Sequence, residues 1–209
     1  MSKKVIVFGA TGRVGKAVCL QAKAQGWEVT AFVRKADAFT IPDIEVIEGD
    51  VMVADSVIKA LGGGFNAVLS AIGPRTVHAK IRTSSVGMVS ITKGMAAHNI
   101  NRIVSVGGSG ILQYNDSRLV QDLQGFPPQL KTISDEHHKA WNTLVKSGLV
   151  FTLICPGYMP TGEVTGQYRT QLNTIMLDTT QILTDDVAHF MVNQIDNPAY
   201  YSQRIAIGY

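Results

Sequence analysis

Lys3-Lys4-Val5-Ile6-Val7-Phe8-Gly9-Ala10-Thr11-Gly12-Arg13-Val14-Gly15 is the stretch that decides the fold. Four consecutive apolar residues make a short strand buried on both faces, and glycines at 9, 12 and 15 follow in a G-x-x-G-x-x-G spacing. Gly9 adopts backbone angles that a side chain forbids, Gly12 lets the main chain approach a pyrophosphate, and Gly15 lets the next helix pack on the strand. The helix, expected over residues 16–25, turns free N–H groups and the positive end of its dipole toward phosphate. Strand, glycine turn and helix in this order are the opening unit of a dinucleotide-binding fold.

The rest of the chain repeats the rhythm. Strands are expected at 27–33, 44–47, 66–70, 102–106, 150–154 and 204–207, and helices at about 55–61, 83–97 and 135–146. The piece Leu183-Thr184-Asp185-Asp186-Val187 reads as an N-capped helix start with carboxylates in its first turn. Alternating βα units with short apolar strands predict one Rossmann domain over 1–209, a doubly wound, mainly parallel α/β sheet with helices on both faces. Two stretches break the rhythm, at about 108–131 and 156–181, with Pro127-Pro128, Pro156-Gly157 and Pro160-Thr161-Gly162 among them. Both follow strands at the carboxyl edge, so they are expected as loops that build a substrate pocket. Two β-prone pieces lie around Tyr168 and Ile175.

Composition narrows the function classes. Hydrophobic residues make up 45% and charged residues 17% of the 209 positions, which describes a globular chain rather than a disordered one. The formal net charge of +3 is spread along the chain, with no basic patch that would read as a nucleic-acid partner. No apolar run approaches the length of a membrane span, and the first run, Val5 to Phe8, is too short for a signal peptide, so a cytoplasmic location is expected. Cys19 and Cys155 form no C-x-x-C and read as buried thiols; no His/Cys cluster has metal-ligand spacing.

The cofactor's flavour is read at the end of the second strand, where an NAD enzyme usually carries an acid for the ribose 2′-hydroxyl. Here stand Val33-Arg34-Lys35, two cations suited to a 2′-phosphate, with Arg13 of the glycine turn expected to join them. NADP(H) is therefore expected. Asp50 either accepts from the adenine amino group or caps the following turn. Gly73 and Arg75, after the fourth strand, lie where the middle of the cofactor passes.

Ordinary short-chain dehydrogenases pair a Tyr with a Lys four residues later. Tyr114, Tyr158, Tyr168, Tyr200 and Tyr201 are followed at that spacing by Arg118, Gly162, Leu172, Arg204 and Ile205. With that pair missing, alcohol/ketone, epimerase and dehydratase chemistry are disfavoured. Hydride transfer to an electrophilic acceptor needs no dedicated acid, and flavins, quinones and linear tetrapyrroles are such acceptors. His137 and Ser109 are the candidate polar groups beside such a ligand.

Together the motifs resemble the atypical short-chain dehydrogenases, and within them the biliverdin-IXβ reductase/flavin reductase group. The pieces are Phe8-Gly9-Ala10-Thr11-Gly12, Val33-Arg34, Gly49-Asp50-Val51, Gly73 with Arg75, Pro127-Pro128, Asp135-Glu136-His137, Ser147-Gly148-Leu149, Thr165-Gly166-Gln167-Tyr168 and Ala188-His189-Phe190-Met191. The resemblance implies NADPH-dependent reduction of FMN, riboflavin or bilins in a shallow pocket. It puts cofactor contacts on Thr11, Gly12, Arg13, Val14, Arg34, Asp50, Val51, Ile72, Gly73 and Arg75, and a substrate-side histidine on His137. This chain departs from the pattern in two places. The family's Cys-Thr-Ser after strand five is Val106-Gly107-Gly108 here, which displaces Ser109 by one residue. A second pocket histidine is replaced by Gly157, with Tyr158 beside it. A different class remains open, a noncatalytic NADP sensor of the NmrA type.

Overall fold

The computed structural model describes residues 3–74 and 82–209. Its elements in chain order are β1 (Lys4–Phe8), α1 (Arg13–Ala24), β2 (Glu28–Val33), β3 (Glu45–Glu48), α2 (Ala54–Leu61), β4 (Ala67–Ser70), α3 (Thr83–Ala97) and β5 (Arg102–Val106). Then follow β6 (Gln113–Asn115), β7 (Arg118–Leu119), α4 (Pro128–Ser147), β8 (Val150–Pro156), β9 (Arg169–Leu172), α5 (Thr184–Asn193) and β10 (Gln203–Gly208).

Side-chain alternation along β1 sets the layers. Val5 and Val7 point into a core shared with α1 and α5, where Val18, Cys19, Val187 and Met191 are fully buried. Ile6 and Phe8 point into the opposite core with Val57 and Leu61 of α2, Met88 and Ile91 of α3, and Leu144 of α4. The sheet has eight strands in the order β3-β2-β1-β4-β5-β8-β10-β9, parallel except for β9, which runs antiparallel to β10 at the edge. This is the doubly wound Rossmann arrangement. β1 pairs with both β2 and β4, so the strand order reverses there and a crevice opens at the carboxyl ends of these strands.

Three expectations shift. The loop expected up to residue 131 ends sooner, because α4 begins at Pro128 and runs for 20 residues. Proline at the first helical position lacks an N–H that the helix would leave unpaired anyway, so it starts the helix instead of blocking it. Within the same stretch β6 and β7 form a small hairpin. The piece around Ile175 is no strand; its N–H donates to the Gln113 carbonyl at 2.9 Å and pins the chain to that hairpin.

Arg102, at the amino end of β5, is buried without a carboxylate partner among its hydrogen bonds. Its guanidinium donates to the carbonyls of Ile103, Val150, Gln194 and Ile195 and to Thr152 Oγ1, and lies 4.6 Å from the Tyr201 ring centre. Burial lowers its pKa to about 10, which leaves it charged, and its charge lies against the carbonyl end of α5. Among the described residues no helix is long and apolar enough to cross a membrane.

The tightest approach lies where β1 meets α1: a Cβ on Gly15 would overlap the Gly9 carbonyl oxygen and lie 2.9 Å from the Ala10 Cα. Backbone has no rotamer by which to yield. Gly15→Ala is expected to cost about 2–3 kcal/mol, with a Tm lower by roughly 4–10 °C in a calorimetric scan; an unchanged Tm would contradict this packing.

Candidate dinucleotide and acceptor site

The loops after β1, β2, β3, β4, β5 and β8 meet at the carboxyl edge of the sheet. Gly9 has φ +80°, and a Cβ there would lie 2.5 Å from the Ala71 carbonyl oxygen at the end of β4. The Gly12 N–H closes the turn onto the Gly9 carbonyl at 2.9 Å. Gly12 also serves as N-cap of α1, with no side-chain cap and no acid in the first turn, so the positive end of the helix stays uncompensated. Thr11, Gly12 and Arg13 are exposed, Val14 is half-buried, and Gly15 is buried. This open cradle suits a pyrophosphate.

Val51 and Ile72 are buried and converge over α3, where a Cβ on Gly87 would lie 2.9 Å from Ile72 Cδ1 and 3.1 Å from Val51 Cγ2. They form an apolar floor between the β3 and β4 loops. Asp50 caps its turn, one carboxylate oxygen accepting the Met52 N–H at 2.9 Å. Gly73 is exposed, with none of the described residues within 4 Å of where a side chain would sit. Arg75 lies outside the described residues.

Arg34 and Lys35 are exposed at the end of β2. Arg13 does not turn its bond toward them: its Nη1 donates to the Met159 carbonyl at 2.7 Å, in the loop after β8. A carboxylate joins the β2 turn in its place. Glu48, opposite Val33 in the β2–β3 register, accepts the Ala36 N–H at 2.9 Å. Sequence spacing missed Glu48, because it lies on another strand; the register of β3 against β2 was the signal that exposes it.

On α4 the His137 ring lies against the β5 loop. A Cβ on Gly108 would lie 2.8 Å from its Nδ1. Burial pushes the imidazole down to about 4, with Glu136 opposing the shift. Among the described residues the ring has no hydrogen-bond partner. Burial pushes the Glu136 carboxyl up, but the bonds from Ser85 Oγ and from Lys139 Nζ, the latter at 3.0 Å, outweigh it and leave the group below its ordinary value. Ser109 is half-buried and opens a short 3₁₀ turn. An apolar pocket of about 320 Å³, lined by Val120, Leu123, Phe126 and Pro127, opens ahead of α4, and its Phe126 ring stands over Gly110, two residues beyond Gly108. A larger cleft of about 530 Å³, around Lys3 and Trp27, lies at the amino edge of the sheet and shares none of these residues.

Gly157 and Tyr158 are exposed. A Cβ on Gly157 would lie 2.6 Å from the Thr180 carbonyl oxygen, so this backbone path has no place for a histidine. The loop beyond is latched by Asp186. Its Oδ1 accepts the N–H groups of Thr165 and Gly166 at 2.9 and 2.8 Å, and its Oδ2 accepts the Thr165 and Tyr209 hydroxyls at 2.7 and 2.6 Å. Asp185 and Asp186 stand in the first turn of α5 as expected, but the N-cap is Leu183 with no side-chain cap, and the Asp186 carboxylate bonds the loop. Tyr168 in that loop bonds to His189 Nδ1 at 2.8 Å, and burial pushes its phenol up to about 12.

Fold and crevice together define a Rossmann-type nucleotide-binding protein. The chain belongs to the NAD(P)H-binding family, whose model matches residues 9–198. It is 26% identical to the uncharacterized YwnB protein of Bacillus subtilis over 98% of this chain and 97% of that protein. A structure of a candidate exported protein from Burkholderia pseudomallei matches with TM-score 0.88 at 26% identity, covering 99% of this chain and 100% of that one. A candidate NADH-flavin reductase from Streptococcus pneumoniae matches with TM-score 0.85 at 25% identity, covering 99% of both chains. These neighbours agree with an atypical short-chain dehydrogenase/flavin reductase type of fold.

The His137 environment predicts a pH effect. The unfolded chain protonates this imidazole near pH ~6.5, whereas the folded protein resists protonation until about 4. Stability that is complete above pH ~6.5 therefore falls as pH drops from there to 4. In urea midpoints measured across this window, His137→Gln should flatten the slope relative to the unaltered protein; parallel slopes would refute the neutral imidazole.

Proposed function

We propose that the protein is an NADPH-dependent reductase that passes hydride to a flavin such as FMN or riboflavin, or to a related electrophilic acceptor such as a quinone or a bilin. The observation that carries this reading is the corner between β5 and α4. Where a Tyr/Lys pair would stand, a neutral His137 lies on Gly108, and the Phe126 ring of an apolar pocket stands over Gly110 of the same loop. A catalyst that must protonate an alkoxide needs an acid poised near neutral pH, and an imidazole held near 4 is a poor one. An acceptor that takes up its proton from water needs only a flat apolar seat and a hydrogen bond, which this corner supplies. The flavin-reductase name of the Streptococcus relative supports the same choice.

The glycine turn and the uncapped start of α1 hold the pyrophosphate, Val51 and Ile72 flank the adenine, and Arg34 with Lys35 pair with the 2′-phosphate. When bound, the reduced nicotinamide supplies the hydride. Gly73 and Gly108 leave the cofactor's far half room to lie close to the main chain, and a neutral His137 N–H hydrogen-bonds the acceptor and orients it.

Mixing the protein with NADPH and FMN should bleach the dihydronicotinamide absorbance catalytically. Tight NADPH binding without oxidation by any flavin, quinone or bilin would overturn the enzyme reading in favour of a redox sensor. Arg34→Ala should raise the NADPH Kd at least about tenfold and leave NADH within about twofold, the loss of one charge-assisted phosphate contact; equal losses for both would remove the NADPH assignment.

A further inference from the structure

Glu48 carries no part in the reading above, yet its carboxylate sits within the turn that selects the cofactor. It closes β3 opposite Val33, the last residue of β2, and its Oε2 accepts the Ala36 N–H at 2.9 Å. Arg34 and Lys35 lie between those two anchor points. The next residue, Gly49, donates its N–H to the Val33 carbonyl at 2.8 Å, which fixes the backbone that carries Glu48 against the end of β2. The side chain is exposed at the turn, and among the described residues only one of its two oxygens accepts a hydrogen bond. The adenosine ribose of a dinucleotide lies at the carboxyl end of the second strand in this fold. A carboxylate there accepts a hydrogen bond from a 2′-hydroxyl and repels a 2′-phosphate.

We infer that Glu48 is a specificity-determining residue of the dinucleotide site, one that bonds the ribose 2′-hydroxyl of NADH and opposes the 2′-phosphate of NADPH. The turn thus holds two opposed devices. Arg34 and Lys35 draw the phosphate, and Glu48, held to the same turn from the neighbouring strand, moderates that pull. The acid that a NAD enzyme places at the end of strand two is supplied here from the end of strand three. The consequence is a chain that prefers NADPH by a limited factor and still accepts NADH. This inference rests on the dinucleotide site alone and is independent of which acceptor is reduced.

The test is direct binding of NADPH and NADH, read by dihydronicotinamide fluorescence, to the full-length protein and to Glu48→Gln and Glu48→Ala. Glutamine keeps an oxygen for the Ala36 N–H and removes the charge. Glu48→Gln should tighten NADPH by about fivefold and weaken NADH by about threefold, the size of one charge a few ångströms away at an exposed site. The NADPH-to-NADH affinity ratio therefore rises by roughly an order of magnitude. A ratio unchanged in Glu48→Gln overturns the inference. So does a parallel loss for both dinucleotides in Glu48→Ala with none in Glu48→Gln, the signature of a residue that only holds the turn. Failure of the unaltered protein to bind either dinucleotide would overturn the site reading itself, separately from any assignment of the acceptor.

Discussion

Three backbone segments meet at one point: the turn after β1, the first turn of α1 and the end of β4. Neither Gly9 nor Gly15 has room for a methyl group, the first against Ala71 and the second against the Gly9 carbonyl. This contact fixes the angle at which α1 leaves the sheet, so the helix start faces the crevice where strand order reverses. Everything the site offers to a phosphate follows from that angle. A side chain at Gly15 would push the helix away from the turn, and one at Gly9 would push the turn off the end of β4. The same approach explains why Gly12 can remain open and exposed, because the turn is already held by its hydrogen bond to Gly9.

The two ends of the crevice are built differently. The cofactor end rests on regular structure, with Val51 and Ile72 packed on α3 and Asp50 closing its own turn. The acceptor end rests on long-range polar latches. Arg13 ties the start of α1 to Met159 in the β8 loop, and Asp186 ties that loop to α5 and to the chain's last residue, Tyr209. Each latch satisfies buried or half-buried polar groups that a loop without secondary structure would leave unpaired. The acceptor wall is thereby coupled to the glycine turn through one guanidinium.

The fold was legible in the sequence because its strands are short apolar runs punctuated by glycine, and those signals are local. Helix α3 was placed at 83–97 and β5 at 102–106 from periodicity alone, and the structure has both. Local signals also misled where one residue type has two uses. Pro127-Pro128 suit a loop although Pro128 starts a helix, and Asp186, a first-turn acid of α5 as expected, also bonds a loop twenty residues earlier. Arg13 was grouped with Arg34 because both are cations near the expected phosphates; the partner that drew it away, the Met159 carbonyl, lies 146 positions along the chain. What escaped the sequence was pairwise and distant. His137 was visible as a residue, whereas its neutrality comes from Gly108 and the packing of α4 on the β5 loop.

Neutrality at His137 and the missing Tyr/Lys pair are two sides of one constraint. A general acid that works near neutral pH needs water or a counter-charge to hold its proton, and here burial of the ring outweighs the attraction of the neighbouring Glu136. Glu136, the adjacent carboxylate, already takes its bonds from Ser85 and Lys139 and is turned into the α3–α4 contact. The imidazole is therefore a neutral ring with one donor and one acceptor set against Gly108, in the loop that Phe126 covers at Gly110. On the proposed reading, such a corner suits a broad, planar molecule better than a small carbonyl compound. A small ketone would gain little from the apolar surface and would lack the acid its alkoxide requires; an extended ring system gains area from the first and has no need of the second.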